Sequence, residues 1–150
     1  MAEHPFLKHL REDHEEQKKL GKQLIEAQSP EERKEMRQKF YEELYPHMVG
    51  EEASMFKRLR DADDEEVRAD ALESLQEHHV GKLVLRELMD LNTDSEVFKA
   101  KAKVLDELNR HHIEEEEKEA FEHLQKLCSD QEMSELFEQY EQAEDKAKEE

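Results

Sequence analysis

Residues 44–59 read LYPHMVGEEASMFKRL, and residues 109–124 read NRHHIEEEEKEAFEHL. An offset of 65 places His47 on His112, Glu51 on Glu116, Glu52 on Glu117, Phe56 on Phe121 and Leu59 on Leu124. A histidine and a glutamate four positions apart project from one side of an α-helix. Apolar residues share that side, so two predicted helices each turn a His and a Glu toward a core. The same offset holds upstream: Leu7 meets Leu72, Leu10 meets Leu75, His14 meets His79 and Leu20 meets Leu85. The repeat spans 4–62 and 69–127, and the surface residues between matched positions mostly differ. A duplicated helix pair related by a pseudo-twofold axis gives this pattern.

Outward from that segment, sequence punctuation divides the chain into helices. Pro5 stands where a first-turn proline is tolerated, and a helix follows to about Ala27 with Leu7, Leu10, His14, Gln17, Gly21 and Leu24 on one face. Ser29-Pro30-Glu31-Glu32 opens a second helix to about Arg60, which Pro46 is expected to kink or split. Asp63 is the expected cap of a third, over about 64–91, with Val67, Ala71, Leu72, Leu75, His79 and Leu83 inward. Thr93 with Glu96 caps a fourth to about Leu127, with Val97, Leu105, Leu108, His112, Glu116 and Leu124 inward. Ser129 with Glu132 opens a short fifth helix bearing Met133, Leu136, Phe137 and Tyr140, and the terminal EDKAKEE is expected to fray. No strand-like alternation occurs. The expected fold is all-α: an antiparallel up-down four-helix bundle over 1–128, then an amphipathic helix and tail over 129–150.

Composition sets the boundaries of function. The 150 residues carry a formal charge of −19, with 43% charged and 35% apolar residues. So acidic a surface repels nucleic acid. No apolar run spans a bilayer and the first residues lack an apolar signal core, so a cytoplasmic protein without membrane contact is expected. The single Cys128 excludes an internal disulfide and a cysteine zinc cage. High charge with low apolar content also marks disorder. The narrow apolar stripes and charged outer faces account for it by a folded bundle instead.

His14, His47, His79 and His112 with Glu51 and Glu116 thus form one inward set. Burying such groups without partners costs about 1–3 kcal/mol each. A pair of metal ions compensates them: imidazoles bind terminally and each carboxylate bridges. The zinc-protease signature H-E-x-x-H is absent, and no His has an acidic residue three positions before it, unlike ferritin-like di-iron sites. Affinity alone leaves zinc or manganese open.

The pattern His14; His47 with Glu51; His79; His112 with Glu116 resembles the hemerythrin-like family of HHE cation-binding domains over residues 5–127. The EE-x3-F extension occurs twice, at Glu51-Glu52…Phe56 and Glu116-Glu117…Phe121. The resemblance implies two iron ions with a bridging oxo or hydroxo group, and a role in O2, nitric oxide or iron physiology. The O2-carrying members have a second histidine four away on the third helix, whereas Leu75 and Leu83 flank His79 here. That departure points to a near-symmetric His4Glu2 site. Further candidate ligands or supporting groups are Glu43, Tyr45, His78 and His111, with His112 preferred over His111 because it keeps the spacing to Phe121 that His47 keeps to Phe56. The expected function is binding of O2, nitric oxide or peroxide. The alternatives are an enzyme turning over peroxide or another oxidant, and a metal-free structural or partner-binding bundle.

Overall fold

The structure is a computed structural model that describes residues 3–150. Among these residues it is all helix, without a strand. The helices are α1 Pro5–Glu26, α2 Pro30–Ala53, α3 Met55–Arg60, α4 Glu65–Asp90, α5 Phe98–Glu115, α6 Phe121–Leu127 and α7 Asp130–Lys148. A π-helical turn, Glu116–Ala120, joins α5 to α6.

Side-chain caps set most starts. Ser29 Oγ accepts from the Glu32 amide at 3.1 Å and Ser129 Oγ from the Glu132 amide at 3.1 Å. Asp64, rather than Asp63, caps α4 through the amides of Glu66 and Val67. The expected Thr93–Glu96 box does not form. Ser95 Oγ accepts from the Val97 amide instead, and α5 starts at Phe98.

Pro46 is accommodated inside α2 without ending it. The helix breaks at Ser54, whose hydroxyl donates back to the Gly50 carbonyl at 2.7 Å. The counterpart helix is distorted at the matched place by the π-helical turn. Both irregularities lie beside an inward glutamate: the break falls three residues after Glu51, and the π-helical turn begins at Glu116.

Packing of α1 on α2 and α5, and of α4 on α2, α3 and α5, encloses a core split in two. One apolar cluster holds Phe6, Leu10, Phe56, Phe121 and Leu124, together with Met133, Leu136 and Tyr140 of α7. The other holds Leu24, Phe40, Leu44, Leu88, Phe98 and Leu105. Between them lies the polar set described below.

Two inward faces depart from expectation. On α4 the buried residues are Val67, Ala71, Ser74, His78, Gly81, Leu85 and Leu88, while Leu72 and Leu83 are exposed. At the fourth helix Val97 and Leu108 are exposed, and Phe98 and Ala102 take the core positions. The C-terminal helix is longer than expected and stays helical to Lys148, with Ala147 buried, because it lies along α2. Gly50 permits that approach: a Cβ there would stand 2.7 Å from the Tyr140 ring. No helix among the described residues is long and apolar enough to cross a membrane.

Candidate metal centre

Six side chains from four helices converge: His14 of α1, His47 and Glu51 of α2, His78 of α4, and His112 with Glu116 on the fourth helical segment. All are at most 6% exposed. Five of them fall into two trios that share one residue. His14, His47 and Glu51 form the first; Glu51, His78 and His112 form the second.

Glu51 Oε2 lies 3.0 Å from His47 Nε2 and 3.5 Å from His14 Nε2, and its Oε1 lies 3.3 Å from His78 Nε2. Glu116 Oε2 lies 3.3 Å from His112 Nε2 and 3.6 Å from His14 Nε2. Each carboxylate therefore reaches histidines of both trios. The inward nitrogens of His78 and His112 stand 2.9 Å apart.

The correction concerns α4. His79, the expected member, is exposed, and His78 takes its place. The offset of 65 holds between α2 and the fourth helix, but α1 maps on α4 with an offset of 64. The stretch from His78 to His112 is one residue longer than that from His14 to His47. At the shorter offset Leu7, His14, Gly21 and Leu24 meet Ala71, His78, Leu85 and Leu88, all of them buried.

Glu43, Tyr45 and His111 lie outside the convergent set. Glu43 is half-buried; burial and the charge of Asp13 lift its carboxyl to about 7. Tyr45 stacks on Tyr41 and donates to Glu150, and His111 pairs with Glu115 in solvent.

Each inward histidine carries a carboxylate on its outer nitrogen. His14 Nδ1 lies 2.6 Å from Glu117, His78 Nδ1 2.9 Å from Glu52, His47 Nδ1 3.1 Å from Asp13 and His112 Nδ1 2.8 Å from Glu77. Burial opposes the charge of these four acids, but their imidazole partners outweigh it and hold all four below the usual carboxylate range. Ionised, they accept, so each Nδ1–H donates and each Nε2 faces inward. This is the support that metal-ligating histidines regularly have.

Sequence reading registered Glu52 and Glu117 as repeat matches but missed Asp13 and Glu77. The signal for the latter is the acid-His doublet, Asp13-His14 and Glu77-His78, visible at the offset of 64.

The inward atoms themselves are not satisfied. His14 Nε2, His47 Nε2 and all four oxygens of Glu51 and Glu116 are buried without hydrogen-bond partners. Burial lowers the pKa of His14, but Glu116, Glu117 and Glu51 outweigh it and raise it to about 9. Burial likewise lowers His112, yet the nearby carboxylates of Glu116 and Glu77 carry it to about 10. Burial and the charge of Glu51 raise Glu116, while Glu51 is held well below its usual value because His47 outweighs burial. A charge-dense, partner-poor set of nitrogens and oxygens fits cations of intermediate softness. Cys128 stands apart, its thiol raised to about 11 by burial and Glu132.

An all-helical protein with such a set belongs to the class of cation-binding helical domains. Residues 6–124 match the family model of the hemerythrin HHE cation-binding domain, and the chain belongs to that family. No curated protein and no solved structure matches the chain.

Proposed function

We propose that the chain is a non-heme di-iron protein that binds a small diatomic or oxidant, O2, nitric oxide or peroxide, at the His4Glu2 set. The observation that carries this reading is the pair of donor trios sharing Glu51. Glu116 spans the same two trios. His14 and His47 would hold one ion, His78 and His112 the other, and the two glutamates would join them. Bound iron would supply an open coordination position and electrons for a small ligand. The family match supports a cation there, and the histidine-rich donor set suits iron as it does zinc or manganese. We read the four long helical segments as an antiparallel up-down bundle, the arrangement that brings four facing histidines to one level.

The chain's own groups do two things. The outer carboxylates fix the imidazole tautomers. The two apolar clusters keep bulk water from the set. Glu43 and Tyr45 lie outside it, which favours binding over turnover. A cytoplasmic setting accords with the lone Cys128.

Metal analysis of protein made in iron-replete medium tests the reading, and the expected result is two irons per chain. Protein without iron would overturn it. Stopped-flow mixing with peroxide then separates stoichiometric binding from catalytic loss.

A further inference from the structure

Among the described residues, seven buried side-chain polar atoms lack a partner, and six belong to the convergent set itself. The seventh is Nε2 of Gln17. Gln17 is 1% exposed and follows His14 by three residues on the buried face of α1. Its Oε1 accepts from Asn109 Nδ2 at 3.1 Å, and Asn109 precedes His112 by three residues on α5. The pair therefore joins α1 to α5 one helical turn from the histidine level, about 4.5 Å along the axis.

Glu51 and Glu116 follow His47 and His112 by four residues, on the opposite side of that level. The carboxylates close the centre from one side, and the layer containing Gln17 faces it from the other.

The repeat sets Gly81 at the position matching Gln17, three residues after His78. A Cβ at Gly81 would meet nothing nearer than Met48 Sδ at 4.0 Å. Alanine fits there and is the better helix former. Glycine at this place leaves room beside the centre rather than avoiding a clash.

We infer that Gln17 is the hydrogen-bond donor to a small anionic or partly charged ligand held at the centre, and that Gly81 leaves the room for it. The inference rests on the metal-binding reading above. A buried amide N–H without a partner is costly, and that cost is recovered when an acceptor arrives. A charged acceptor makes the stronger bond. Gln17 thus discriminates for ligands with an electron-rich end atom, while the apolar residues around it discriminate by size.

Azide is the probe, titrated into the oxidised, iron-loaded full chain and followed by absorbance. Gln17→Met keeps the volume and removes the donor, together with the oxygen that accepts from Asn109. Its Kd for azide is expected to rise about tenfold, with iron content kept and Tm little changed, since relief of the unpartnered amide offsets the lost Asn109 bond. Gly81→Ala is expected to raise Tm and also to weaken azide.

Equal azide affinity in wild type and Gln17→Met, with iron retained, overturns the inference and leaves the metal reading intact. Iron-loaded wild type that binds no azide also overturns it alone. Loss of iron from Gln17→Met overturns it in favour of a role in holding the metal. A wild-type chain that takes up no iron overturns both readings. Should Gln17→Met fail to fold, Gln17→Glu, near-isosteric and carrying an acceptor in place of the donor, makes the same comparison with a larger expected loss.

Discussion

The two halves of the repeat present the same donors by the same means and differ in what covers them. In the first half, Asp13 supports His47, and in the second Glu77 supports His112. Across the halves, Glu117 supports His14 and Glu52 supports His78. On the outer side of the first half, α7 adds Tyr140, whose oxygen lies 2.9 Å from His47 Nδ1 and 2.8 Å from both Asp13 and Glu144. Glu77 of the second half faces His111 and Glu115, and the His111 side chain is 65% exposed. The two halves thus share the inner donors and their supports and differ on the outer flank. Both histidines have a half-buried carboxylate, and a buried phenol braces one of them in addition.

The largest effect should come from the residue common to both donor trios. Glu51→Ala is expected to lose both ions, and elemental analysis that finds one ion retained would show that the halves bind independently. A lower melting temperature should accompany the loss, because bound metal contributes to folding.

The next comparison breaks the symmetry within one doublet. His78→Ala is expected to abolish metal binding in its half, whereas His79→Ala should change stability by less than about 0.5 kcal/mol, as exposed positions do. Thermal melts with and without metal separate the two.

Gly50→Ala sets the α7 contact against the symmetric core. It drives a methyl into the Tyr140 ring, with an expected cost of about 1–3 kcal/mol in chemical denaturation.

Glu77→Gln should lower metal affinity by about 10- to 100-fold. Asp13→Asn should lower it less, because Tyr140 still holds His47; equal losses in a chelator competition would mean that the phenol contributes nothing.

A separate effect is that of pH on metal-free protein. His14 at about 9 and His112 at about 10 stand above the ordinary 6.5, so the folded state binds their protons more tightly. This stabilisation is complete below about pH 6.5 and is lost as pH rises through about 10. Melts across that window should show a falling Tm, and a rising Tm would reverse the assignment of charge.

Much of this was legible in the chain itself. The two H-x-x-x-E segments needed only helical periodicity, because His47 with Glu51 and His112 with Glu116 are tied to apolar neighbours on the same face. The α4 face was harder. Leu72, Leu75, His79 and Leu83 make a plausible apolar stripe, and Ala71, Ser74, His78 and Gly81 make a poor one by hydropathy alone. The true stripe is apolar at its ends, Val67, Leu85 and Leu88, and small or polar in its middle, where His78 enters the centre. Hydropathy therefore favoured the wrong side of the helix. Tyr140 stands in sequence as one member of the fifth helix's apolar stripe, and nothing local ties it to His47 from 93 residues away.

Sequence alone determined that the protein is helical, that the motif H-x-x-x-E occurs twice, and that both copies turn histidine and glutamate inward, because periodicity and spacing are properties of a single helix. Tertiary structure decided which of two adjacent histidines enters the core. Neighbouring residues on a helix lie about 100° apart, so a one-residue difference in connection length rotates one for the other. It also decided where α7 lies and where Gln17 finds no partner, because both depend on which helices meet.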